Sequence, residues 1–176
     1  MRSNAFKLLR VHAKPGDPRR GVLLAGPHAL PVALGRGGIK ANKREGDGAT
    51  PRGKFRPRRL WWRSDRAPPP ASLLPVRRIR RDDGWCEDPR DRAYNRPVKV
   101  PRDSPADRLW RQDRLYDLIV EIDHNTRPRM AGRGSAVFIH VARPGFAATA
   151  GCIALEQRTL RRLLTRFGPQ TRIIVG

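Results

Sequence analysis

The stretch Val137-Phe138-Ile139-His140-Val141, followed after a short loop by Thr149-Ala150-Gly151-Cys152-Ile153, decides how this chain is read. Val137, Ile139 and Val141 alternate with Ala136, Phe138 and His140, the period of two that marks a strand with two distinct faces. His140 then sits near a strand end. Arg143-Pro144-Gly145 signals a loop, and the run from Glu156 to Phe167 carries Leu160, Leu163, Leu164 and Phe167 at helical spacing. Cys152 therefore falls on a loop or short strand between a strand and a helix. A thiol reacts as its thiolate, and a neighbouring imidazole that takes the proton brings it into the reactive range. His140 and Cys152 are the candidate base and nucleophile, with backbone N–H groups near Gly151 and Cys152 placed to meet an oxyanion. Spacing alone admits a plainer assignment: a lone Cys is usually a small buried hydrophobe, and a lone His at a strand end a hydrogen-bonded structural residue.

Outward from this stretch, strand-like runs recur at 8–12, 21–25, 30–34, 118–123, 136–141 and 172–175, separated by Pro- and Gly-rich connectors. Besides the run after Cys152, a weak helical pattern covers 106–111. The 176 residues suit one domain, 1–176, with enough chain to bury a core. The prediction is a mainly β fold with few short helices, one of them after the candidate cysteine. Between 61 and 105 the prolines and arginines predict a long irregular excursion of the functional or mobile kind.

A formal net charge of +22 gives the surface a strong positive field, which attracts anionic partners. Arg56-Pro57-Arg58-Arg59-Leu60-Trp61-Trp62-Arg63 mixes cations with aromatic rings as single-strand binders do, but no nucleic-acid motif accompanies it. A solvated basic surface, with Trp61 and Trp62 partly in the core, is the preferred reading over nucleic acid. An anionic cell-envelope polymer satisfies the same electrostatics. No apolar run is long enough for a transmembrane helix, and Met1 to Arg10 has basic residues without the apolar segment of a secretory signal. The two cysteines imply no disulfide scaffold, and Cys86 reads as a packed residue in preference to a second thiol or a redox partner of Cys152. His12, His28, His124 and His140 show no paired metal-ligand spacing, so no metal is predicted. His124, in Asp123-His124-Asn125, is either a neighbour of His140 or a plain loop residue.

The string from His140 to Cys152, with Thr149 at the first position of a Ser/Thr-x-Gly-Cys motif, resembles the active-site signature of the L,D-transpeptidases, the YkuD-like catalytic domain. Lys43-Arg44-Glu45-Gly46-Asp47-Gly48-Ala49-Thr50-Pro51-Arg52-Gly53-Lys54-Phe55 resembles that domain's region of threonine, proline and glycine before an aromatic strand residue. Asp83-Gly84-Trp85-Cys86-Glu87-Asp88 with Tyr94-Asn95-Arg96-Pro97, and Gly132-Arg133-Gly134-Ser135-Ala136-Val137-Phe138-Ile139-His140, resemble a short single-domain bacterial branch of the family. The likeness runs from about Gly35 to the C-terminus. Many relatives have Gly after the histidine, His two before the cysteine and Arg two after it, where this chain has Val141, Ala150 and Ala154.

The resemblance implies a β-sandwich or barrel domain. It further implies a peptidoglycan stem-peptide substrate, attack by Cys152 at the L-centre of a diamino acid, and expulsion of a terminal D-alanine. His140 serves as base and then acid, Gly151 and Thr149 shape the oxyanion loop, and no cofactor is called for. Arg143 or Arg133 is a candidate to replace the missing arginine against a peptide carboxylate. Ser135, His124, Trp85 and Tyr94 are further candidate substrate contacts. Water in place of an amine acceptor turns the same site into an L,D-carboxypeptidase, and loss of chemistry leaves a basic module for polyanions. The family works in the cell envelope or periplasm, whereas the absence of a visible signal points to the cytoplasm.

Overall fold

In the computed structural model, which describes residues 5–176, the chain opens with the hairpin pair β1 (Leu8–Lys14) and β2 (Asp17–Ala25). Leu9 and Val11 point inward opposite Ala25 and Leu23, while Arg10 and His12 face solvent, so the alternation in sequence becomes the two faces of a sheet. The first four residues, part of the N-terminal segment weighed above as a signal, lie outside the described residues.

Strands β3 (His28–Ala33), β4 (Ile39–Lys40), β5 (Thr50–Pro51), β6 (Gly53–Phe55), β7 (Pro57–Trp62) and β8 (Val76–Arg78) follow. Next come β9 (Asp83–Cys86), β10 (Pro97–Lys99), β11 (Ala106–Arg108), β12 (Leu118–Ile122), β13 (Phe138–Val141), β14 (Ile153–Leu155), helix α1 (Gln157–Leu164) and β15 (Arg172–Val175). Ten of them form one curled sheet in the order β6-β15-β1-β2-β3-β14-β13-β12-β7-β8. β13 and β14 run parallel at its centre, the crossover between them being the cysteine loop. The mainly β expectation is met, with α1 directly after the cysteine strand.

Both faces of β12 and β13 are covered, which is why every residue of these strands is buried. On one face Leu118, Val120, Ile139, Val141, Ile153 and Leu155 pack with Leu160, Leu163, Leu164 and Phe167 from α1 and the turn after it. The carboxylate of Glu156 accepts the Thr159 N–H at 2.7 Å and caps that helix. On the opposite face Trp61, Ile119, Phe138 and Cys152 pack against Ile79, Trp85, Leu109 and Tyr116.

This second layer corrects two expectations. The weak helical pattern at 106–111 is the edge strand β11, whose Asp107 pairs opposite Trp85 of β9; sheet pairing has overridden a short local periodicity. The stretch 61–105, read as irregular, contains β8, β9 and β10, and the last two join β11 in a three-stranded covering sheet in the order β10-β9-β11. Pro97 opens β10, an edge position where a missing N–H costs no ladder bond. Asn95 stitches this cover to the main sheet. Its amide nitrogen donates to the carbonyls of His124 and Asn125 (3.1 and 2.9 Å), and its oxygen accepts from Trp85 Nε1 (2.9 Å) and the Ala136 N–H (3.3 Å).

Candidate active site

The cysteine loop is pinned from three sides. Thr149 N–H donates to the Leu34 carbonyl (2.9 Å) and Arg36 N–H to the Thr149 carbonyl (3.0 Å), tying the loop to the end of β3. Thr149 Oγ1 donates to the Cys152 carbonyl (2.7 Å) and accepts the Gly151 N–H (3.1 Å). Gly151 has φ +141°, and a Cβ there would stand 2.8 Å from the Ala49 carbonyl oxygen, so glycine is required for this approach. Of the two amides expected at an oxyanion, that of Gly151 is thus engaged by Thr149, while that of Cys152 has no acceptor among the described residues.

Cys152 is 8% exposed. Its Sγ accepts the Phe138 N–H at 3.3 Å and sends its proton to the Ala136 carbonyl at 3.2 Å. Burial pushes the thiol up to about 12; the Phe138 amide opposes this, and the nearby carboxylates of Asp107 and Glu87 add to it. His140 lies in register with Ala154, two residues on from Cys152, so both side chains belong to the same face of the sheet. His140 Nδ1 is 2.8 Å from the Val141 carbonyl, and a carbonyl only accepts, so Nδ1 carries the proton and Nε2 is left unprotonated. Burial holds its pKa down to about 4, against the pull of that carbonyl and with help from the Arg111 and Arg143 charges. The resting pair is therefore a neutral thiol and a neutral imidazole, not hydrogen-bonded to one another among the described residues. This differs from the sequence expectation of a thiol lowered toward reactivity. Desolvation disfavours both charged forms.

Two cavities meet at Cys152. The smaller, about 240 Å³, is lined by Lys43, Glu45, Ser135 and Gly151; the larger, about 460 Å³, by His140, Arg143, Thr149 and Ala154. Arg36, Glu87, Asp107, Tyr116 and Ala150 border both. The Tyr116 ring meets the His140 ring edge-on at 5.3 Å, and its hydroxyl donates to Asp107 Oδ2 at 2.5 Å. Glu45 Oε2 accepts from Ser135 Oγ (2.8 Å) and from the Tyr94 hydroxyl.

The candidates from sequence divide accordingly. Arg143 and Ser135 line the cavities beside Cys152, His140, Gly151 and Thr149. Tyr94 touches the site through Glu45 and by accepting the Gly134 N–H at 3.0 Å. Trp85 stands behind it, edge-on to Phe138 at 5.0 Å. His124 and Arg133 line neither cavity: His124 Nε2 bonds the Arg133 carbonyl (3.0 Å) with its ring against Phe55, and the Arg133 guanidinium reaches Asn42. Cys86 is fully buried in β9, and both cysteines are free. Arg36, Lys43, Glu45, Glu87, Asp107 and Tyr116 were not singled out from sequence. Glu87 lies just past the end of β9, two residues after Trp85, where the period of two returns a side chain to the same face.

No helix among the described residues is long and apolar enough to cross a membrane. No curated protein and no solved structure matches the chain. The family model of the L,D-transpeptidase catalytic domain, YkuD, matches residues 19–175, nearly the whole chain. With that span, a mostly β architecture, and a strand histidine and loop cysteine brought to one cleft, the chain belongs to the L,D-transpeptidase catalytic-domain family.

Proposed function

We propose that the protein is an L,D-transpeptidase that acts on peptidoglycan stem peptides through a thioester on Cys152. Its family acts on peptidoglycan peptides at the cell envelope, where a chain of net charge +22 also suits contact with anionic envelope polymer. The observation that carries the reading is the position of Cys152 at the junction of two clefts, one containing His140. A reaction that joins an acyl donor to an amine acceptor requires two sites converging on one nucleophile.

In the first half-reaction Sγ leaves the Ala136 carbonyl and attacks the donor carbonyl at the L-centre of a diamino acid, while His140 Nε2 takes the thiol proton. The Val141 carbonyl orients the ring and stabilises the imidazolium, the part an Asp plays in a Ser-His-Asp triad. The Cys152 N–H faces the developing oxyanion, and Thr149 holds the loop that presents it. The imidazolium then protonates the leaving D-alanine amine. Arg143, at the larger cavity, receives a peptide carboxylate, and Ser135 contacts the ligand in the smaller one. An amine of a second stem peptide resolves the thioester to give a cross-link. Intact-mass analysis after incubation with a carbapenem tests this: an adduct on the wild type and none on Cys152→Ala is expected. Absence of the adduct from the wild type would sink it.

A further inference from the structure

An amine reaching the thioester brings one proton more than His140 can take. At neutral pH a primary amine arrives as an ammonium ion with three protons. One stays in the amide formed, one passes to His140 as the nitrogen attacks, and one has to leave beforehand, since an ammonium nitrogen has no free electron pair. Water needs no such preliminary step. Within the acyl-transfer reading above, on which this rests, we infer that the Glu87 carboxylate is the base that accepts this first proton and so directs the acyl-enzyme toward amines.

Glu87 follows the end of β9, two residues after Trp85, and Asp107 of β11 pairs opposite Trp85. All three therefore stand on one face of the covering sheet. Trp85 anchors that face edge-on against Phe138, the residue whose N–H meets Cys152 Sγ. Glu87 consequently borders both cavities together with Cys152. Its carboxylate has no hydrogen bond and no ion pair among the described residues, although the chain carries 38 Lys and Arg against 16 Asp and Glu. The groups around it are Asp107, held by the Tyr116 hydroxyl, Glu45, held by Ser135 and Tyr94, and the Arg36 and Lys43 side chains across the smaller cavity. Burial, with Asp107 and Glu45 adding to it, pushes the Glu87 carboxyl up to about 7. A base so placed both attracts an ammonium ion and is strong enough to receive its proton.

The step balances. The ammonium gives one proton to Glu87, and the neutral amine forms the C–N bond at the thioester carbon. His140 Nε2 takes the second proton, the C–S bond breaks, and the imidazolium returns that proton to Sγ. Glu87 releases its proton to water.

The test compares wild type with Glu87→Gln, loaded with a disaccharide-tetrapeptide donor, and measures the ratio of aminolysis to hydrolysis with two small acceptors. Glycinamide is largely protonated at neutral pH, whereas methoxyamine is already a free base and needs no first deprotonation. The expected result at pH 7 is a fall of about 10-fold in the glycinamide ratio, set by the share of this α-amino compound that is free base in solution, and an unchanged methoxyamine ratio. A glycinamide ratio that does not fall, or an equal fall for both amines, overturns the role of Glu87, the latter making it a positioning residue. Carbapenem adducts on both proteins report a folded, competent nucleophile. A wild type that forms no adduct instead overturns the acyl-transfer reading beneath the proposal.

Discussion

The two faces of β13 are equally buried and chemically opposite. Ile139 and Val141 enter a hydrocarbon layer closed by Leu160, Leu163, Leu164 and Phe167. Phe138 and His140 face a layer that holds a thiol, an imidazole, a tyrosine hydroxyl and the carboxylates of Glu45, Glu87 and Asp107 around the cavities. The first layer is a core that carries stability. In the second, burial serves to shift protonation: His140 is held neutral and Cys152 is held as the thiol. One strand of four residues thus divides folding from chemistry.

The difference is sharpest at the nucleophile. Cys152→Ala is expected to reduce acyl transfer and carbapenem labelling to background, whereas Cys86→Ala, in the same covering layer but off the cavities, retains both. The reverse pattern in the intact-mass assay would reassign the thiol. His140→Gln is expected to lower kcat/KM by about 10²–10⁴. The wild-type pH profile of the acylation step, in which Glu87 takes no part, should keep its acid limb near pH 4, where the imidazole proposed as its base becomes protonated. A limb near the ordinary histidine range would show that the ring titrates as if exposed.

On the other face, Leu164→Ala should cost about 2–5 kcal/mol through lost burial and a residual cavity, read as a fall in the urea midpoint. Carbapenem labelling per folded molecule is expected to stay. The two faces also respond differently to acid. The folded pKa of His140, about 4, lies below the unfolded value of about 6.5, so between these pH values the unfolded chain binds a proton that the folded chain refuses. Stability therefore falls as pH drops through this window, by about 3 kcal/mol in full, and His140→Gln should remove that part of the slope. The smallest effect is expected at the helix cap. Glu156→Ala leaves the Thr159 N–H without its acceptor and should cost about 1 kcal/mol, seen as a lowered Tm without a change in labelling.

How much of this was legible in the sequence follows from the range over which each signal acts. The runs near β1, β2, β12, β13 and β15 were readable because alternation is local, and α1 because its leucines repeat at helical spacing. That His140 and Cys152 reach one cleft was readable because the loop joining their strands is short. The 106–111 pattern misled because Asp107 obtains its strand geometry from Trp85, across the covering sheet. Arg36 reaches the site only because its amide bonds the Thr149 carbonyl across the sheet. His124 belongs to a strand end adjacent to the site but turns to the Arg133 carbonyl and the Phe55 ring, a choice made by packing.

By itself the sequence determined the two faces of the central strands, the helix after the cysteine and the closeness of His140 to Cys152, since each rests on residues a few positions apart. Only the tertiary structure decided that Glu87 and Asp107 stand over Cys152 and that thiol and imidazole rest uncharged. Both depend on a covering sheet delivered from the region between β8 and β12, and desolvation exists only once that second layer has closed.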